Sequence, residues 1–446
     1  MTRRILFVTQ THNVWGGMEQ WLHNFTLWLQ ANTDWDVRVA MPRGRRFNDP
    51  DAYLAAHAHM KPVVLDVRVG TPAVRVRKLA EAILRFDPDL VVPIATGDIF
   101  AAVAEAKRRG AKVRHLHPIR ALVPDLLANV LDHWPEIDGV VSINRLFHRF
   151  FAEQLPADGE RLHYVRHGTR PPFTPHDPSR IDDPDAPLRI GFVGRIEADV
   201  KRLFDLVPLI DALDRANVAV RVHLFGSGPA EGELRARLAS SPLPVTFHGY
   251  QSQEELYTTA YPMLDVTLLF SESEGTPNAI CEAMQHGVVP VISRYVGQPG
   301  ERYVIHERNG LTFPVGDAGA AAAHIERLAD NRDLLARLSE QARRDVESDT
   351  DVRMHRDWLA IFEQTLALPQ KVARTVPFRH PAGRLDRILP AGASDTLRAL
   401  LGRQFPHPDG WSEWPGTEPV PRERLEAISA AIEQIDRDEQ LRVYGV

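Results

Sequence analysis

The chain has 446 residues, of which 44% are hydrophobic and 25% are charged, and its formal net charge is −6. This length predicts two or three domains, and the composition excludes collagen-like, coiled-coil and largely disordered proteins. The single cysteine, Cys281, excludes an intrachain disulfide and a cysteine-rich metal site.

The N-terminal apolar run covers only residues 5–8. A signal-peptide core needs roughly 7–15 apolar residues, and no segment approaches the ~18 apolar residues of a membrane span. The sequence therefore predicts a cytoplasmic protein and leaves peripheral contact with a membrane surface open. Residues 1–180 carry 24 Lys and Arg against 19 Asp and Glu (+5), and residues 181–446 carry 29 against 40 (−11). Either anionic partners or ordinary surface scatter explains the excess of basic residues in the first half of the chain. The sequence has no basic stripe of the kind that indicates a nucleic-acid partner.

Short apolar segments alternate with amphipathic ones along the first half of the chain. The predicted strands are residues 4–9, 37–40, 63–67, 90–94, 113–116, 139–142 and 162–165. The amphipathic segments between them include residues 18–29, 74–85 and 99–109. Continuous apolar strands separated by helices indicate a parallel sheet that is covered on both faces.

A polar, proline-rich segment follows at residues 171–185, and then the alternation starts again. The second set of predicted strands is 188–193, 218–225, 245–248, 266–270 and 288–292, and the helices lie near 203–215, 231–239, 253–261, 278–286 and 319–328. The pattern predicts two doubly wound domains in tandem, with a ligand site between them at the carboxyl ends of the strands. The segment after residue 368 carries no recognisable motif.

The strongest local pattern follows the strand predicted at residues 266–270. Glu274 and Gly275 lie in a loop, and Pro277 stands where a helix begins, so the N–H groups of the first turn form an anion site. Glu282 lies eight residues after Glu274, inside that helix. The two carboxylates can contact different hydroxyls of one polar ligand, although two solvated glutamates beside a tight turn give the same pattern.

A second loop, after the strand at residues 188–193, begins with Gly194 and carries Arg195, Lys201 and Arg202. Cations just past a strand end can neutralise a phosphate. A loop closed by salt bridges is the alternative, because acidic residues such as Glu197 lie between the cations.

Three weaker patterns complete the set. Residues 226–229 lack the spacing of a dinucleotide fingerprint and predict a tight turn near a ligand. Gly16 and Gly17 precede a helix and allow a backbone to approach a ligand closely, although a flexible turn gives the same pattern. His117 follows the strand predicted at residues 113–116 and would face the cleft between the domains, although a lone histidine is more often structural. With no third ligand nearby, it predicts no metal site.

Taken together in this order, these segments resemble glycosyltransferase family 4. The resemblance covers roughly residues 4–367 and rests on the sequences at residues 192–195, 225–229, 274–278 and 282–284. It implies an α/β protein of the GT-B fold, with two facing Rossmann-like doubly wound domains and a cleft between them. Residues 1–172 are the implied acceptor-side domain, 173–187 the linker, 188–368 the nucleotide-sugar domain and 369–446 a C-terminal extension without an assigned role.

The resemblance implies that a sugar is transferred, with retention of anomeric configuration, from a nucleotide-diphosphate sugar such as a UDP- or GDP-sugar. The implied acceptor is a hydroxyl of a glycan, a lipid-linked molecule or a small molecule, and no metal or cofactor besides the donor is required. The implied catalytic residues are Glu274, His117, Arg195 and Lys201. The implied donor-binding residues are Gly16, Gly17, Arg195, Lys201, Gly275, Thr276, Pro277, Asn278 and Glu282.

Within this resemblance, Glu274 would hold the transferred sugar and Glu282 the ribose, while Arg195 and Lys201 would hold the diphosphate. His117 corresponds to the family's histidine near the donor sugar. Two other functions stay open: a nucleotide-sugar epimerase on the same fold, and a catalytically silent glycosyltransferase-like binding subunit. The presence of all four charged residues argues against the silent subunit.

Overall fold

The computed structural model describes residues 2–68, 71–94, 96–173, 186–372, 384–385, 388–403 and 414–445. Two parallel sheets, each covered by helices, form the core of the molecule. The predicted parallel α/β architecture is therefore confirmed. Most of the predicted linker at residues 173–187 and parts of the C-terminal extension lie outside the described residues.

The first domain is built on a seven-stranded sheet. Its strands are β1 (Arg4–Val8), β2 (Asp36–Arg43), β3 (Pro62–Asp66), β4 (Leu90–Pro93), β5 (Arg114–Ile119), β6 (Gly139–Ser142) and β7 (Leu162–Tyr164). The helices are α1 (Gly17–Asn32), α2 (Pro50–Ala56), α3 (Pro72–Phe86), α4 (Ile99–Arg108), α5 (Pro124–Asp132) and α6 (Arg145–Gln154). The strand order β3-β2-β1-β4-β5-β6-β7 reverses direction between β1 and β4. In such sheets, ligands bind beyond the carboxyl ends of the strands at this reversal.

The second domain is built on a six-stranded sheet in the order β10-β9-β8-β11-β12-β13. Its strands are β8 (Leu188–Val193), β9 (Val220–Phe225), β10 (Val245–Gly249), β11 (Val266–Leu269), β12 (Val289–Ser293) and β13 (Leu311–Phe313). The helices are α7 (Leu206–Arg215), α8 (Glu231–Arg237), α9 (Gln253–Glu255), α10 (Tyr261–Met263), α11 (Asn278–Gln285), α12 (Gln298–Glu301), α13 (Ala318–Asp330) and α14 (Arg332–Val346). This order reverses direction between β8 and β11, the strands that precede the two strongest motifs.

Side-chain caps and prolines set where several helices begin. Asp49 accepts a hydrogen bond of 3.0 Å from the backbone N–H of Asp51 at the start of α2, and Thr71 caps α3. Pro50 and Pro72 occupy the first helical positions, where a missing N–H costs nothing. Local sequence therefore fixes where the chain enters these two helices.

Helix α15 (Asp351–Ala367) returns from the second domain to the first. The Trp358 ring lies 4.9 Å from the Trp21 ring, and Phe362 lies 6.4 Å from Phe7 of β1, between ring centroids. The crossing needs a glycine at Gly168, because an added Cβ there would overlap the backbone of Thr350. The chain therefore passes twice between the domains on this side.

The C-terminal extension packs on the first domain. It contains α16 (Ala391–Leu400) and α17 (Arg422–Tyr444). Trp414, Ile428, Ile432 and Ile435 are buried in the same core cluster as residues of α4, α5 and α6. The extension is therefore part of the first domain's core.

Several strands differ in their bounds from the predictions made from the sequence, such as β2, which covers Asp36–Arg43 where the sequence predicts residues 37–40. Two further differences concern β5 and β13. The pattern ends the fifth strand at residue 116, whereas β5 continues to Ile119 because Ile119 pairs with Ser142 of β6. The sequence does not predict β13, since a run of three residues is too short to carry a strand pattern. Both differences arise from pairing with a neighbouring strand, which a single segment does not encode.

Glu301 of α12 links the two domains through a buried carboxylate. It accepts hydrogen bonds from the backbone N–H of Arg145 (2.8 Å) and from the Tyr164 hydroxyl (2.9 Å). The side chain is 2% exposed, and burial raises the pKa of Glu301 to about 6, although these two hydrogen bonds oppose the shift. A carboxyl with a raised pKa favours folding below its unfolded-state pKa, and this contribution is lost as the pH rises through 6.

We predict that Glu301→Gln removes this pH dependence. The wild type should lose about 2 kcal/mol of unfolding free energy relative to the variant between pH 4 and pH 7, because burial favours the neutral carboxyl. Urea unfolding of both proteins across this range measures the difference. A gap that stays constant or widens in favour of the wild type with rising pH would contradict the assignment.

Candidate functional site

Loops that follow the carboxyl ends of strands in both sheets contact each other. The Asn144 side-chain amide, two residues after β6, donates a hydrogen bond of 2.7 Å to the carbonyl of Gly275. The Thr276 hydroxyl donates one of 3.1 Å to the carbonyl of Ile143. Two predicted donor-binding residues, Gly275 and Thr276, therefore lie at the boundary between the domains.

The paired glycines of the first domain also lie at this boundary. A Cβ added to Gly17 would lie 3.5 Å from the side-chain nitrogen of Asn278, the first residue of α11. Gly16 precedes α1, and an added Cβ there would lie 2.6 Å from a carboxylate oxygen of Glu19. The structure thus brings the predicted residues Gly16 and Gly17 up to the start of α11.

Glu274 and Lys201, which belong to different sequence motifs, form an ion pair. Lys201 Nζ lies 2.6 Å from Glu274 Oε1, which also accepts a hydrogen bond of 2.5 Å from the Ser271 hydroxyl. The Glu274 side chain is 11% exposed and that of Lys201 25% exposed. The pair holds an anionic and a cationic group side by side at the carboxyl end of β11.

Gly275 has to be glycine for the two domains to meet. An added Cβ would overlap the carbonyl oxygen of Arg120, which directly follows β5. Pro277 immediately precedes α11, and among the described residues no side chain caps this helix. The N–H groups of its first turn and the positive end of its dipole therefore face the domain boundary.

Glu282 lies on α11, behind the loop that carries Glu274. Its Oε2 accepts a hydrogen bond of 2.6 Å from the Tyr261 hydroxyl, and Gln253 Nε2 lies 3.5 Å from Oε1. Burial raises the pKa of Glu282, and the hydrogen bond from Tyr261 opposes the shift. Gln253 also contacts Gln20 of α1 at 3.4 Å, so this carboxylate is connected to the domain boundary.

Arg195 and Arg202 have acidic partners elsewhere. The Arg195 side chain is 68% exposed and forms an ion pair of 2.9 Å with Glu197, as in the salt-bridged alternative. Arg202 pairs with Asp205 at 2.9 Å and with the exposed Glu272 at 2.8 Å. Of the three cations predicted for the phosphates, Lys201 is thus the one paired with Glu274.

The glycines at residues 226–229 support the loop that carries Lys201. Gly226 has a φ of +135°, and an added Cβ would overlap the carbonyl oxygen of Gly194. A Cβ on Gly228 would likewise overlap the carbonyl oxygen of Ile196. The N–H of Ile196 donates a hydrogen bond of 3.0 Å to the carbonyl of Ser227. A turn follows at residues 228–231, and these glycines let two strand-end loops approach each other, while the nearness of a ligand stays a prediction.

The predicted position of His117 is wrong. His117 lies within β5 and does not follow its end, since β5 extends to Ile119. Its side chain is 3% exposed, its ring stacks on Phe100 of α4 at 4.9 Å, and its Nδ1 lies 3.1 Å from Nε2 of His115. These contacts place the ring in the first domain's core, against α4 and not at the cleft. Burial lowers the pKa of His117 to about 3, so the ring is neutral.

Residues that the sequence motifs do not identify also lie at the boundary. The Arg120 guanidinium lies 4.0 Å above the Trp21 ring, and burial lowers the pKa of Arg120 to about 9, with partial compensation from Glu19. Asn144 both caps α6 and bonds to Gly275. In the sequence, these residues are marked only by their positions just after β5 and β6. These positions can be recognised only when the ends of the two strands are known.

The described part of the chain contains neither a metal-ligand cluster nor a membrane-spanning helix. No group of three or more His, Cys, Asp or Glu side chains there is arranged to hold a metal ion. No helix there is long and apolar enough to cross a membrane.

Comparison with known proteins shows that part of the chain matches a protein family. Residues 187–331 match the family model described as glycosyl transferases group 1. Over 169 residues the chain is 30% identical to sulfoquinovosyl transferase SQD2 of Arabidopsis thaliana. That alignment covers 37% of this chain and 31% of the relative, so the chain matches about a third of the relative's length.

Solved structures share the whole two-domain arrangement. The apo form of the lipopolysaccharide outer core galactosyltransferase WaaB is similar with a TM-score of 0.63 and 17% identity, over 81% of this chain and 99% of that one. HepE of Anabaena, in complex with UDP and glucose, is similar with a TM-score of 0.63 and 19% identity, over 82% of this chain and 99% of that one. A glycosyltransferase from Rickettsia africae is similar with a TM-score of 0.65 and 15% identity, over 82% of this chain and 100% of that one. The chain therefore has the GT-B fold, with two facing Rossmann-like domains, as the resemblance implies.

We predict that Gly275→Ala forces the domains apart, because its methyl group would overlap the Arg120 carbonyl. The expected loss of unfolding free energy is about 1–3 kcal/mol, typical of overpacking at a tight contact. Thermal or urea unfolding measures it.

Gly232→Ala, in α8, is the matched control. An added Cβ there meets no described atom within 4 Å, so the variant should be neutral or more stable by up to about 1 kcal/mol. Equal stability of the Gly275→Ala variant and the wild type would show that the two loops do not meet as described.

Proposed function

We propose that this protein is a retaining glycosyltransferase of family 4 that transfers a sugar from a UDP- or GDP-sugar to a hydroxyl. The acceptor would be a glycan, a lipid-linked molecule or a small molecule. The observation that carries the proposal is the ion pair of Lys201 and Glu274 at the carboxyl end of β11, opposite the loops of the first domain. The family match over residues 187–331 covers this part of the chain and supports the same activity.

The positive charge at this place suits a diphosphate. Lys201 Nζ now contacts Glu274, and a phosphate oxygen would compete with that carboxylate for the same ammonium group. The uncapped start of α11, with Gly275, Thr276, Pro277 and Asn278, adds N–H groups and the helix dipole to the same site. In this proposal Arg195 would leave Glu197 to reach the outer phosphate, which its exposed side chain allows.

The two carboxylates suit the hydroxyl-rich parts of the donor. Glu274 would accept hydrogen bonds from hydroxyls of the transferred sugar through Oε2, because the hydrogen bonds from Lys201 and Ser271 both go to Oε1. Glu282 would accept hydrogen bonds from the ribose, with Tyr261 holding its other oxygen at 2.6 Å. Gly16 and Gly17 would close over the donor from the first domain.

The chemistry follows from this distribution of charge. Breaking the bond between the sugar and the diphosphate leaves negative charge on the phosphate, and Lys201, Arg195 and the α11 dipole stabilise it there. The acceptor oxygen would then attack from the face that the phosphate leaves, and the departing phosphate would take the acceptor proton. This route needs no side-chain base, in keeping with the position of His117 in the core.

The direct test uses a panel of UDP-, GDP-, ADP- and dTDP-sugars, with thermal stabilisation and nucleoside diphosphate release as readouts. One nucleotide series should stabilise the protein and be hydrolysed slowly without an acceptor, because water replaces the acceptor hydroxyl. Conversion of the donor into an epimeric nucleotide sugar would favour an epimerase, and binding to none of the panel would refute the donor site.

We predict that Glu274→Ala lowers donor turnover by at least about 100-fold, because it removes a group that contacts the reacting sugar. Its circular dichroism spectrum should match that of the wild type. Glu233→Ala is the control, since Glu233 is an exposed carboxylate of the same domain that pairs only with Arg237 among its described partners. Turnover at the wild-type rate in Glu274→Ala would remove Glu274 from the site.

A further inference from the structure

Helix α17 of the C-terminal extension contacts both domains. Its apolar face, with Ile428, Ile432 and Ile435, is buried against the first domain. Among the described residues, three ion pairs hold it there as well: Arg424 with Asp132 at 3.1 Å, Glu439 with Arg149 at 3.0 Å and Asp438 with Arg149 at 3.8 Å. The first domain therefore fixes the helix in place.

The last turns of α17 reach the second domain just after β12. Asp436 Oδ1 accepts a hydrogen bond of 2.7 Å from the backbone N–H of Gly297. Gln440 Nε2 donates one of 3.3 Å to the carbonyl of Arg294, and the Tyr444 hydroxyl donates one of 2.6 Å to the side chain of Gln298. Asp436 is 8% exposed, so its contact with Gly297 is shielded from water.

The segment held by α17 is paired with the loop that carries Glu274. The N–H of Val296, the residue before Gly297, donates a hydrogen bond of 2.9 Å to the carbonyl of Glu272. Val296 also forms an isolated parallel bridge with Ser273. Only residues 296 and 297 therefore separate the Asp436 carboxylate from the backbone next to Glu274.

Gly297 is a constrained position within this segment. Its φ of +95° lies in the left-handed region, which a glycine adopts without steric cost. An added Cβ would lie 3.1 Å from the amide nitrogen of Asn144, the same amide that donates to Gly275. The extension, the first domain and the Glu274 loop thus meet around one residue.

We propose that Asp436 is a positioning residue: it holds Gly297 and thereby the loop of residues 272–276 in the arrangement that receives the nucleotide. The inference rests on the proposed function for the identity of the ligand, whereas the coupling between α17 and the loop is independent of it. Asp436 acts through a backbone N–H, so any side chain that accepts a hydrogen bond in the same place should serve.

The test compares Asp436→Ala, Asp436→Asn and the control Glu433→Ala in the full-length chain. Asn keeps an acceptor oxygen for Gly297, and Glu433 is an exposed carboxylate on the same helix. Hydrogen exchange read by mass spectrometry reports on residues 272–276 and 296–298 without any ligand. Titration with UDP and GDP reports on nucleotide affinity.

In Asp436→Ala, amide exchange in both segments should be about tenfold faster, as expected for the loss of a buried hydrogen bond to a carboxylate. Nucleotide affinity should fall by a similar factor. Asp436→Asn should stay within about twofold of the wild type, and Glu433→Ala should not differ from it. If Asp436→Ala does not fold, Tyr444→Phe, which removes the hydroxyl's hydrogen bonds with Gln298 and Thr312, should speed exchange in both segments by about threefold.

Two results would overturn the proposal. Faster exchange confined to residues 296–298 would show that α17 does not position the Glu274 loop, and an Asn variant as impaired as the Ala variant would show that the hydrogen bond to Gly297 is not the cause. If exchange changes as expected while no nucleotide binds the wild type, the positioning role stands and the proposed function fails.

Discussion

The contact between Gly275 and the end of the first sheet is the constraint on which the candidate site depends. Its carbonyl accepts the Asn144 amide, and its lack of a Cβ leaves room for the Arg120 carbonyl. Glu274 is the preceding residue in the chain. Its position relative to the first domain is therefore set by backbone geometry, and neither sheet could set it alone.

Partial burial then determines how the charges at this contact behave. A carboxylate that is 11% exposed is stabilised by a cation nearby, and Lys201 supplies it at 2.6 Å. Desolvation of both groups offsets much of their attraction, so such a pair adds little to the stability of the fold. What the pair provides is a fixed arrangement of one positive and one negative group, ready to exchange partners with a polar ligand. Glu282, in the second turn of α11, is also removed from water, and this burial raises its pKa.

The fold was largely predictable from the sequence, because the continuous apolar strands and the helices between them carry their own patterns. The local motifs also indicated that Glu274 and Lys201 belong to strand-end loops, and they do meet. His117 was misplaced because the length of β5 depends on its pairing with β6, which its own sequence does not encode. Asn144, Arg120 and Asp436 were not identified because each acts through contacts with residues more than 100 positions away in the chain.

The two faces of the first sheet are both completed by residues from beyond position 350. Trp358 and Phe362 of α15 close one core cluster, while Trp414 and Ile428 close the other. A ribosome adds about 5–20 residues per second, so the strands made first wait on the order of tens of seconds for the side chains that cover them. The second domain, whose core cluster is drawn from residues 188–338, can fold during that interval. During synthesis, part of each face of the first sheet therefore stays exposed until α15 and α17 emerge, whereas every residue of the second domain's core cluster has already been made.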